Sequence, residues 1–135
     1  MDLGGHLNPS ELLRMSPVHH PMMETAMESV VRGAKVLRER FQTTLRIETK
    51  GVANFVTEAD FGSEREIVNT IRERYPDHAI ISEESHSDRA DATDLWIIDP
   101  LDGTSNFLHG IPHFAISIAY YRDSQPELGL NQANA

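Results

Sequence analysis

From Met23 onward the apolar residues recur at Met23, Met27, Val30, Ala34, Leu37 and Phe41. Spacings of three and four put them on one stripe of an α-helix, with Glu28, Arg32, Lys35 and Glu39 on the opposite face. The period breaks in LRIETKGVANFVT, where Gly51 and Asn54 are turn signals, so this segment reads as a short hairpin or an extended loop. A second helix is predicted from about Ala59 to Tyr75. It buries Ile67, Ile71 and Tyr75 at four-residue spacing with Val68 alongside, and Pro76 ends it. Three strand candidates follow: HAIISEE, DLWIID and HFAISIAYY. In the last, Phe114, Ile116, Ile118 and Tyr120 alternate with smaller or polar residues, as a half-buried strand requires. SHSDRADATD, between the first two, is polar and reads as an exposed loop.

Two helices followed by strands without regular βαβ alternation indicate an α+β fold, with helices packed on one face of a largely antiparallel sheet. Residues 1–21, with two glycines, three prolines and the adjacent His19 and His20, read as a flexible extension in which the histidines have no specific task. Residues 22–130 read as one folded domain and 131–135, NQANA, as a tail of little apolar content. A strand as regular as 114–121 needs a partner, and only ELGL precedes that tail, so the expectation is a fold that is cut short. The methionines at 22, 23 and 27 suit core packing and leave a homodimer contact open.

At 135 residues, 39% hydrophobic and 24% charged, the chain has the length and composition of one globular domain. A net charge of −9 argues against direct nucleic-acid binding, which uses Lys and Arg to neutralise phosphates, and suits carboxylates that hold cations. With no cysteine there can be no disulfide or thiolate metal site, and a reducing cytoplasm is compatible with this. The N-terminus lacks the apolar run of a signal peptide, and no segment is long enough to span a bilayer, so the expected setting is cytoplasmic.

The chemistry-bearing stretch is WIIDPLDGTSNFLHG, residues 96–110. Pro-Leu-Asp-Gly alone is ordinary turn sequence. Yet Glu83 and Glu84 also end an apolar strand, and the ends of strands in one sheet can converge on one cleft. Carboxylates gathered there repel unless cations neutralise them, an arrangement that suits Mg²⁺. Gly103-Thr104 adds backbone N–H groups after a strand, suited to phosphate. Thr57-x-x-Asp60 matches a helix capping box and can at the same time stand at the edge of a cleft. His109 and His113 flank Gly-Ile-Pro, which prevents a regular helix, so they read as loop histidines rather than a metal pair.

DPLDGTSNF at 99–107, SEES at 82–85 and VTEAD at 56–60 resemble, in order and spacing, the three N-terminal signature blocks of the inositol monophosphatase family. The likeness runs from about Met22 to Leu130 and is strongest to the family's bacterial inositol-1-monophosphatases of the SuhB type. It implies the N-terminal part of a sugar-phosphatase-like fold and Mg²⁺-dependent, Li⁺-sensitive hydrolysis of a small phosphate monoester, inositol monophosphate first. By the resemblance, Glu83, Asp99 and the Leu101 carbonyl hold one Mg²⁺, while Asp99 and Asp102 contribute to a second. Glu83 also reaches a third ion, and Glu84 supports the shell. Thr104 and Asp60 orient and deprotonate the attacking water, and the Gly103 and Thr104 amides bind phosphate. Lys50 matches a lysine found before the Thr-x-x-Asp block.

The sequence departs from the family in lacking its C-terminal half, including a Trp-Asp-x-Ala block whose aspartate is another ligand of the second metal. Turnover by this chain is therefore expected to be low. Sister activities on other sugar or nucleotide phosphates share these blocks. A non-catalytic binding or regulatory role of the SuhB type is the alternative.

Overall fold

The structure, a computed structural model, describes residues 20–43, 47–49, 55–82 and 86–133. Helix α1 (Pro21–Arg40) opens with proline in its first turn, where a helix needs no amide donor. His20 caps it, its Nδ1 accepting the Met22 amide at 3.1 Å, and the ring meets Tyr120 edge-on with centroids 5.6 Å apart. His20 thus has a structural task, contrary to the sequence expectation. The buried stripe of α1 is Ala26, Val30, Ala34 and Leu37, and Met23 and Met27 stay half-buried. Small residues decide this, because they let α2 (Glu58–Arg74) come close. A Cβ on Gly33 would sit 2.9 Å from Ser63 Oγ and 3.2 Å from Ile67 Cδ1.

Helix α2 starts with the capping box that its sequence announces and ends where the Tyr75 amide bonds the Ile71 carbonyl, just before Pro76. Ahead of it, β1 (Ile47–Thr49) and β2 (Phe55–Thr57) pair antiparallel, the hairpin of the two readings left open. The main sheet contains β3 (Ala79–Ser82), β4 (His86–Ser87), β5 (Asp94–Asp102), β6 (Ala115–Arg122) and β7 (Gln125–Ala133), in the order β4-β3-β5-β6-β7. Only β3 and β5 are parallel neighbours; the other pairs are antiparallel. The fold is α+β with a largely antiparallel sheet. A short helix, α3 (Thr104–Leu108), links β5 to β6.

Trp96, Ile98, Ile116, Ile118 and Tyr120 are all buried in one core with Ile67 and Ile71 of α2. Fully burying each such side chain is worth about 1.5–3 kcal/mol. Strand β6 does have its partner. β7 pairs with it from Gln125 to Ala133, so Asn131, Gln132 and Ala133 lie in the sheet. Only Leu128 and Leu130 of β7 are half-buried against the core, so the apolar signal stops at ELGL and the exposed residues 131–133 carry none. Among the described residues no helix is long and apolar enough to cross a membrane.

A polar network borders this core. The Trp96 indole N–H donates to His78 Nδ1 at 3.0 Å, and the His78 ring stacks on Tyr75 at 4.6 Å. Tyr120 donates its hydroxyl to Asp94 at 2.5 Å, and burial together with that bond pushes its pKa up to about 12. Burial lowers the His78 pKa, and this outweighs the opposing pull of Asp94, whose carboxylate lies 3.6 Å from Nε2. Protonating Nδ1 would also set one N–H against the indole N–H. With a folded pKa below its unfolded value, the unfolded chain binds more protons, so this contribution is lost as pH falls from about 6.5 through the depressed folded value. Urea unfolding followed by the fluorescence of Trp96 should show stability falling between pH 7.5 and pH 5. The fall should be shallower in His78→Phe, and equal slopes in the two proteins would contradict this account.

Candidate active site

Strand β5 does not turn at Pro100. It continues through Leu101 to Asp102, with a break in its register to β6 between Asp99 and Asp102. Proline has no N–H to give a ladder and is tolerated in a sheet at such a bulge. The Pro100 carbonyl accepts the Ser63 hydroxyl at 2.8 Å instead, in a fully buried contact from α2. Gly103 follows in the left-handed region at φ 91°, and a Cβ there would meet the His113 carbonyl at 3.0 Å. That turn starts α3 with Thr104 facing back toward α2.

The Thr104 hydroxyl is 3.0 Å from Asp60 Oδ1 and 3.3 Å from the Leu101 carbonyl. Asp60 has no solvent exposure, and its other oxygen accepts the Thr57 amide at 2.9 Å and the Thr57 hydroxyl at 2.7 Å. One carboxylate therefore completes the capping box and holds Thr104. Burial raises its pKa, and the hydrogen bonds from Thr57 and Thr104 only partly oppose this. Such a carboxylate is a better proton acceptor than a free one.

On the other side of the bulge, the Leu101 amide donates to Asp99 Oδ1 at 3.3 Å. Asp99 is half-buried and lines, with Ser117 and Asn131, an open and mostly apolar groove of roughly 520 Å³ that Ile97, Ile118 and Leu130 also form. Asp102 is exposed, and no side chain caps α3 at Gly103. The single Thr104 hydroxyl proton has two acceptors within reach, the nearer on Asp60 and the other the carbonyl of Leu101, whose amide bonds Asp99. Glu83, Glu84 and Lys50 lie outside the described residues. Among the described residues no group of three His, Asp or Glu side chains could hold an ion. The donor set at the bulge, two carboxylates and a carbonyl, is nevertheless the hard oxygen chemistry that Mg²⁺ takes. His109 bonds the Ser105 carbonyl at 2.7 Å, and both it and His113 are exposed.

Two buried polar residues beside the site escaped the sequence reading. Ser63 and Glu64 follow Asp60 at three and four residues, so the stripe of Ile67 and Ile71 turns polar where it nears the bulge. Polar residues continuing an apolar stripe are the signal that would have found them.

The site is thus set in an α+β domain, where a parallel strand pair in an otherwise antiparallel sheet is followed by a threonine bonded to a buried aspartate. The model of the inositol monophosphatase family matches residues 19–132, and the chain belongs to that family. It is 40% identical over 114 residues to the Nus factor SuhB of Haemophilus influenzae, covering 82% of this chain and 43% of that protein. With inositol monophosphatase 3 of tomato (Solanum lycopersicum) the identity is 37% over 112 residues, covering 80% and 42%. The structure of an IMPase from Thermotoga maritima superposes with a TM-score of 0.79 at 35% identity, covering 85% of this chain and 45% of that one. The chain spans less than half the length of these relatives.

Ser63→Ala should leave the Pro100 carbonyl buried without a donor, costing about 1–3 kcal/mol. Chemical denaturation would measure this, and a change within a few tenths of a kcal/mol would show that the bulge does not depend on Ser63.

Proposed function

We propose that this chain carries the metal-binding part of a Mg²⁺-dependent phosphate monoester hydrolase, with inositol monophosphate as the first candidate substrate. The observation that carries the reading is the Thr104 hydroxyl held by a buried Asp60 beside the Leu101 carbonyl and Asp99. In this reading Glu83, Asp99 and the Leu101 carbonyl hold one Mg²⁺, and Asp99 with Asp102 contributes to a second. Glu83 also reaches a third ion, and Glu84 supports the shell. When bound, Mg²⁺ supplies Lewis acidity that lowers the pKa of water and offsets charge on the departing ester oxygen.

Thr104 donates its only hydroxyl proton to Asp60, which leaves its oxygen lone pairs to accept a hydrogen bond from the attacking water and so orient it. Asp60, with its raised pKa, draws the proton away through Thr104. The Gly103 and Thr104 amides, uncapped by any side chain, bind phosphate oxygens. A cytoplasmic setting and a homodimer belong to the same reading. The likeness to the Haemophilus Nus factor favours a second one: a binding role in which the carboxylates are retained without turnover.

Titration calorimetry of the chain should show Mg²⁺ binding that Asp99→Asn abolishes; equal heats from both proteins would remove Asp99 from the site. The isolated chain is expected to release phosphate from inositol monophosphate barely above background. Grafted onto the remaining length of a relative, it should become a Mg²⁺-dependent, Li⁺-inhibited phosphatase. Thr104→Ala in that graft should slow release by on the order of 10²–10⁴-fold. A graft that binds Mg²⁺ and releases no phosphate would favour the binding role.

A further inference from the structure

Glu64 is 1% exposed and has no part in the proposed reaction. Burying a carboxylate costs several kcal/mol unless hydrogen bonds satisfy it. Here the two oxygens divide the work: Oε2 accepts the Ser82 hydroxyl at 2.9 Å, and Oε1 accepts from His86 Nδ1 at 2.5 Å. Ser82 and His86 face each other as a pair of the β3–β4 ladder. In sequence they bracket Glu83, Glu84 and Ser85.

That ladder cannot hold itself. β4 is two residues long, and so short a pairing is marginal without outside support. Support comes from the Ile80 amide on Asp88 at 3.0 Å and, at the tip, from Glu64. Helix α2 therefore grips both ends of one connection with a single side chain, one turn beyond the Asp60 that holds Thr104. The parallel register sets Ser82 beside Ile98, so the strand end leading into Glu83 adjoins the one leading into Asp99.

We propose that Glu64 is a positioning residue: by bonding Ser82 and His86 together it fixes the facing ends of β3 and β4, between which the chain carries two residues of the proposed ligand set. The proposal rests on the metal-binding reading above. Its physical demand is for two acceptor oxygens at once. A glutamine supplies one and turns an amide N–H₂ toward the other donor, and an aspartate keeps the charge but falls a methylene short.

The test compares wild type with Glu64→Gln and Glu64→Asp by hydrogen exchange of the metal-free chain and by Mg²⁺ calorimetry. Amides of 86–88 should exchange at least tenfold faster in both variants, while those of α1 and β6 keep their protection. Mg²⁺ affinity should fall on the order of tenfold. Should Glu64→Gln fail to fold, Ser82→Ala, which keeps the buried carboxylate on His86, should show the same pattern at smaller amplitude. Unchanged exchange overturns the proposal, and so does faster exchange with unchanged Mg²⁺ affinity, which would make Glu64 a structural tie alone. If wild type itself binds no Mg²⁺, the metal reading fails, and the exchange data alone decide whether Glu64 clamps the hairpin.

Discussion

The bond from Ser63 to the Pro100 carbonyl is the contact on which the rest of this site depends. A strand that carries proline in mid-sheet must lose part of its ladder. In β5 the loss falls between Asp99 and Asp102, and the helix behind supplies the missing partner. Leu101 can then turn its side chain into the core while its carbonyl approaches Thr104. The close approach of α1 at Gly33 holds Ser63 from behind, so packing of the two helices and shape of the bulge are one constraint.

Helix α2 serves the site with consecutive turns of a single face. Asp60 reaches Thr104, Ser63 reaches Pro100 and Glu64 reaches the β3–β4 hairpin, while Ile67 and Ile71 further along pack in the core. Rigidity gained by burying the apolar end is passed to the polar end along the same helix. By contrast, the ion pairs of Arg32 and Arg74 with Glu28 lie at the surface with their side chains 32–43% exposed, and add little.

Most of the framework was legible in the sequence because its signals are local. The alternation of Phe114, Ile116, Ile118 and Tyr120, the stripe of Ile67 and Ile71, and the capping box at Thr57 each declare themselves within a few residues. The motif DPLDGT announced chemistry for the same reason. What could not be read depends on partners distant in sequence. The continuation of β5 past Pro100 needs Ser63, and residues 131–133 of β7 are made strand by the ladder of β6 rather than by their own pattern. His20 acquired a task only because a proline followed it and Tyr120 lay beside it.

The contacts that shape the bulge join residues 37 and 44 positions apart in the chain. Closing loops of that length costs conformational entropy that only the finished core repays, and folds built on distant pairings form slowly. The geometry of the site is therefore not stored in the signature block. A synthetic peptide with the sequence WIIDPLDGTSNFLHG would carry every recognisable letter of the motif and none of its shape, since the helix that bends it lies elsewhere in the chain.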